Sequence, residues 1–144
     1  MEPAAQALWA ARVNDCLISR SNMVLTTEGS ILPAEGKQYN LAIVRTRVAA
    51  PGRNDDVSEW YNDRLYPAMR EAGADARFLH RLIQGGNTNT WYSVSLVEDW
   101  DAFNAPGPLD GDSRQVQQMF EDFNDLVEVA SQEVLLYRAD LSND

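Results

Sequence analysis

His80 is the only histidine in 144 residues, so it alone carries an ordinary pKa suited to proton transfer near neutrality. It stands in ARFLHRLIQ, residues 76–84, a strand pattern that places Phe78 and Leu82 on its own face. A second strand pattern, TNTWYSVSLV at 88–97, follows Gly85-Gly86-Asn87, and two such runs around a short Gly/Asn loop predict a hairpin. Loop parity decides what faces His80: an odd number of loop residues brings Tyr92 opposite, an even number Trp91. A His80–Tyr92 pair could exchange a proton with a phenol or enol, which makes both residues catalytic candidates. The plainer alternative is a core or interface histidine hydrogen-bonded for structure.

Arg45 and Arg47 share a strand face with Leu41 and Ile43. Two guanidinium groups there could hold a carboxylate by bidentate hydrogen bonds, so both are candidate substrate-binding residues. The competing reading pairs them with some of the chain's 22 acids at a subunit interface. Trp60, Tyr61, Trp91, Trp100 and Phe103 could line an apolar pocket, although aromatic residues at such spacing more often fill a core. Glu59 and Asp63, and the group Glu98, Asp99 and Asp101, lack the spacing of a calcium loop and read as solvated surface acids. Phosphate-loop, dinucleotide and nucleophile-elbow motifs are missing, and one histidine cannot make an H-E-x-x-H zinc site. No cofactor or metal is expected; a haem would have His80 as its only imidazole.

The net charge of −10 would repel a phosphate backbone or an anionic membrane, so neither nucleic acid nor membrane is an expected partner. Cys16 stands alone and excludes an intrachain disulfide. The first residues lack the basic start and apolar core of a signal peptide, and the expected location is cytoplasmic.

Apolar spacing predicts a helix over 4–20, a short extended segment over 22–27 and a linker over 28–37. A strand follows at 39–48. The next helix is expected to be capped by Asp55 or Asp56 and to carry Val57, Trp60, Tyr61, Leu65, Ala68, Met69 and Ala72 inward, stopping at Gly73. Pro67 removes one donor from that helix and predicts a kink or tighter turn across 63–67. After the hairpin, residues 98–113 read as a loop with one helical turn at 100–103. Asp112 or Ser113 would cap a helix bearing Val116, Met119, Phe120, Phe123 and Val127, and the last strand is expected at 133–139. The order from 39 onward is β-α-β-β-α-β, a ferredoxin-like α+β sheet with both helices on one face and the other face in need of a partner.

Residues 14–25, NDCLISRSNMVL, echo as NDLVEVASQEVL at 124–135. The echo divides the chain into a helix-strand extension and linker over 1–38, resembling the end of a preceding repeat, and a domain over 39–144.

Element order, the helix segment EWYNDRLYPAMREAG and the run VEDWDAF after the hairpin resemble the dimeric α+β barrel superfamily, which includes antibiotic-biosynthesis-monooxygenase-like proteins. The resemblance implies two sheets closing into a dimeric or tandem barrel, and hence a homo-oligomer, a homodimer or larger. It also implies a small-molecule-binding protein acting as a cofactor-free oxygenase, isomerase or cyclase on an apolar or aromatic substrate. The alternative is a non-catalytic assembly module.

Overall fold

Five strands, β1 (Val24–Ile31), β2 (Leu41–Ala49), β3 (Arg77–Gln84), β4 (Thr90–Val97) and β5 (Val127–Leu136), make one sheet in the order β1-β3-β4-β2-β5. Every neighbouring pair is antiparallel. This computed structural model describes residues 2–16, 19, 21–111 and 113–138. Strands β2 to β5 and the helices between them follow the expected β-α-β-β-α-β order. The sheet gains a fifth strand because β1 docks on the outer edge of β3.

The expected linker is therefore partly strand. Glu28–Ile31 belongs to β1, whose pairing with β3 shifts register between Thr27 and Gly29. Such a bulge lets a strand absorb a glycine and continue. A Cβ on Gly29 would lie 2.3 Å from Asn62 Oδ1, so a larger residue would have to displace the Asn62 side chain, which donates to the Glu28 carbonyl. The final strand also starts earlier than its alternation suggested. Val127, read from sequence as a helix residue, opens β5, because β2 offers a pairing edge along its whole length. Ala139 and Asp112 lie outside the described residues.

The helix after β2 has three parts: α2 (Asn54–Glu59), a π turn (Trp60–Leu65) and α3 (Tyr66–Glu71). It begins before the expected caps; Asp56 instead pairs with Arg53, and Asn54 is held by hydrogen bonds to Asn89 and Trp91. Of the expected kink or tighter turn across 63–67, the tighter turn is replaced by a widening, marked by the Tyr66 N–H bonding to the carbonyl of Tyr61 five residues back. Spacing explains it. The buried residues are Trp60, Tyr61, Leu65 and Tyr66, two pairs five apart, and a π turn puts both pairs on one side where an α-helix would rotate them away.

The other helices are α1 (Pro3–Cys16), α4 (Trp100–Asn104) and α5 (Arg114–Asn124). Asp99 caps α4 by accepting the Ala102 N–H at 2.8 Å, so the expected helical turn is real. Met119 and Phe123 of α5 pack against the π turn, where Trp60 stacks on Phe123 at 4.1 Å and gives its indole N–H to the Met119 carbonyl at 2.9 Å. The core thus lies between one sheet face and the helices.

Both copies of the 110-residue echo end a helix and lead to a strand, but the strands coincide only where Val24–Thr26 matches Val134–Leu136. Their environments differ. Trp9 stands where α5 has Met119, yet Trp9 is 60% exposed and Met119 only 6%.

Candidate functional site

Between the sheet and its helices lies a cavity of about 460 Å³. Its floor follows from strand alternation. β2 turns Leu41, Ile43, Arg45 and Arg47 toward the helices, and β4 turns Trp91, Ser93, Ser95 and Val97 the same way. In the middle of the sheet, where large apolar side chains would ordinarily meet the helices, β4 supplies only Ser93 and Ser95. Two small residues leave the space that the cavity occupies. Trp60, Tyr61, Leu65, Tyr66 and Met69 form the helical wall. Phe103, Leu109 and the loop between α4 and α5 border it, with Phe120 and Phe123 on the α5 side.

Arg45 and Arg47 line this cavity, and Arg77 of β3 joins them. The register places Ser93 opposite Arg45 and Ser95 opposite Arg77, so arginines from two strands flank the serines of the strand between. None of the three forms an ion pair among the described residues, where the salt bridges join Lys37 to Asp75 and Glu98, Arg53 to Asp56, and Arg64 to Asp122. Among the described residues the carboxylate lining the cavity is that of Asp110, which accepts the Gly107 N–H of its own loop at 2.5 Å. Burial lowers the pKa of Arg45, and the positive charge of Arg47 adds to it. Burial likewise lowers Arg77, with Asp75 opposing and Arg45 reinforcing the shift. An acidic protein thus gathers three arginines at this cavity, with no ion pair to any of them among the described residues.

Tyr61 and Tyr66 stand over this cluster. Burial raises both phenols above their ordinary value; for Tyr61 a hydrogen bond with Ser93 and the charges of Arg47 and Arg45 oppose the rise. The unfolded tyrosines ionise near pH 10 while the folded ones stay neutral, so folding stability is complete below about pH 10 and falls as pH rises further. Urea unfolding followed from pH 8 to 11 is expected to show this loss, and Tyr66→Phe to make it shallower.

The remaining candidates lie elsewhere. The hairpin loop, 85–89, has an odd number of residues, and Tyr92 is the register partner of His80. Both point to the sheet face opposite the cavity. His80 Nδ1 shares a hydrogen bond of 3.1 Å with Thr27 Oγ1, and its ring lies parallel to Phe78 at 6.4 Å. Trp91 faces the helices but lies beyond the cavity, 1% exposed, with its indole N–H on Asn54 Oδ1 at 2.8 Å and Arg81 over its ring. Trp100 is 52% exposed and lines no wall. The structure therefore brings Arg45 and Arg47 together at the cavity and His80 and Tyr92 together away from it.

Sequence reading missed Arg77, Ser93, Ser95 and Tyr66. Alternation within residues 76–84 offered Arg77, Leu79 and Arg81 as the face opposite His80, and the five-residue spacing of Trp60-Tyr61 and Leu65-Tyr66 marked the second tyrosine.

No family model and no curated protein sequence matches this chain. Among solved structures, a candidate monooxygenase from Lactobacillus acidophilus superposes with a TM-score of 0.63 at 13% identity, over 94% of this chain and 65% of that one. The two share one fold, an antiparallel α+β one. A candidate monooxygenase from Fusobacterium nucleatum agrees, with a TM-score of 0.59 at 13% identity over 94% of this chain and 60% of that one. The chain thus spans less than two thirds of either protein, and at this identity the likeness is one of fold. Among the described residues, no helix is long and apolar enough to cross a membrane.

Proposed function

We propose that this protein binds a small, largely apolar or aromatic molecule in the cavity between sheet and helices, with cofactor-free oxygenase, isomerase or cyclase chemistry as the candidate activities. The carrying observation is the cavity itself: about 460 Å³ with aromatic walls and a few polar groups grouped on its floor. Volume and lining both match small-molecule sites in general. The monooxygenase-like fold supports the same reading. In this proposal Arg45 and Arg47 contact the ligand and Trp91 shapes the end of the site from behind. His80 and Tyr92 act as structural or interface residues, because the sheet stands between them and the cavity.

Filling the floor tests the proposal. Ser95→Leu is expected to weaken binding of an aromatic probe by tenfold or more while leaving the melting temperature unchanged or higher, as a cavity gains apolar contacts. Unaltered binding by a folded Ser95→Leu protein would place the ligand elsewhere. His80→Ala is expected to leave probe affinity within twofold of the parent, measured by the same titration.

A second reading, an assembly module that forms a homodimer or larger oligomer, is favoured by α1. Leu8 and Trp9 are 57% and 60% exposed, although α5 buries Met119, the match of Trp9. Native mass spectrometry of Leu8→Ser/Trp9→Ser should then show a smaller particle than the parent; equal masses would count against it.

A further inference from the structure

We infer that the ligand of this cavity is an aromatic-sized carboxylic acid, its carboxylate seated on the floor among Arg45, Arg47 and Arg77 and its apolar body against the helical aromatics. The inference rests on the cavity being a binding site and adds the chemical class of its occupant, together with Arg77 as a third binding residue.

Guanidinium geometry carries the argument. Arg47 uses Nη1 for backbone carbonyls, those of Thr46 at 3.1 Å and Ser131 at 3.5 Å. Arg77 also uses Nη1, for the carbonyls of Asp75, Ala76 and Leu96 at 2.6, 3.3 and 3.4 Å. Both side chains are anchored on one nitrogen, and the Nε–Nη2 edge is left without a protein acceptor among the described residues. That edge presents two parallel N–H groups, the arrangement that matches the two oxygens of a carboxylate. Arg45 donates to no protein acceptor among the described residues. No described polar side-chain atom is sealed from solvent without a partner, so these donors open onto accessible space. The cavity is the space all three line.

The strand order makes convergence feasible. β2 and β3 stand two strand spacings apart, about 10 Å, with the short serines of β4 between them. Arginine side chains reach inward from both sides of that gap. A neutral ligand would leave three half-buried arginines with no ion-pair partner among the described residues, whereas an anion offsets their charge and fills their open donors. Above the floor the walls turn aromatic and aliphatic, through Trp60, Tyr66, Phe123 and Leu109, which suits a ring system and not a second charge.

The test compares 1-naphthoate with its neutral isostere 1-naphthamide by calorimetric titration of the full chain. The parent protein is expected to prefer naphthoate by at least tenfold. Arg45→Met and, separately, Arg77→Met should remove most of that preference while leaving naphthamide affinity within about threefold. Arg45→Lys, which keeps the charge but not the fork, should restore only part of it. Circular dichroism and thermal melting establish that each variant is folded. Equal affinity for the two probes overturns the carboxylate assignment and leaves the cavity reading standing. A preference that survives both methionine variants also overturns it, since the acid then binds elsewhere. Failure of both probes to bind overturns the cavity reading and this inference with it.

Discussion

Arg45→Met is expected to make the unliganded protein more stable and to strip it of its preference for acids. The two effects have one cause. Arg45 is half-buried, faces Arg47 and Arg77, and has no acid among the described residues to offset its lost hydration. Exchanging buried charges for apolar side chains of similar volume is often stabilising by about 1–4 kcal/mol. Solvent reaches this cavity and screens the charge, which keeps the expected gain near the lower end, about 1 kcal/mol or a few degrees in melting temperature. Ligand binding moves the other way. Losing hydrogen bonds from a charged donor costs about 1.5–3 kcal/mol, roughly 10- to 150-fold in affinity. Thermal melts with and without 1-naphthoate check both. A melting temperature that falls in the unliganded protein and ligand stabilisation that persists would show Arg45 to be a structural residue.

Trp60→Ala should be the most damaging single truncation. Trp60 stacks on Phe123, meets Tyr61 and Phe120 edge-on, and ties the π turn to α5 through the Met119 carbonyl. Removing a buried tryptophan costs about 3–5 kcal/mol, a large share of the 5–15 kcal/mol that holds a domain of this kind folded. A fall of roughly 10–15 °C in melting temperature is expected. Trp60→Phe should lose much less, because it keeps the ring contact and gives up mainly the hydrogen bond. Equal losses for the two variants would show that the Met119 link, and not packing, joins the helices.

How much of this was legible beforehand depends on which physical pattern each part obeys. Alternation over 41–48 showed that Arg45 and Arg47 share a face with Leu41 and Ile43, and the structure keeps them there. It did not show which face the helices cover. The helices cover the side that carries the arginines, and Ala42, Val44, Thr46 and Val48 form the opposite face. Hairpin parity placed Tyr92 against His80 once the loop length was known, yet register says nothing about where a cavity forms. The missed strand segments, Glu28–Ile31 and Val127–Gln132, became strands because β3 and β2 offered edges to pair with, a long-range effect that local spacing does not carry.

Residue type and period alone determined the element order, the hairpin and the shared face of Arg45 and Arg47. All of these are matters of neighbours along the chain, where side-chain direction follows from a repeat of two or of three to five residues. Only the tertiary structure decided that Arg77 joins those arginines, that Ser93 and Ser95 open a cavity beneath Tyr61 and Tyr66, and that His80 lies on the far side of the sheet. Those facts depend on which sheet face the helices cover and on strands brought together across dozens of residues.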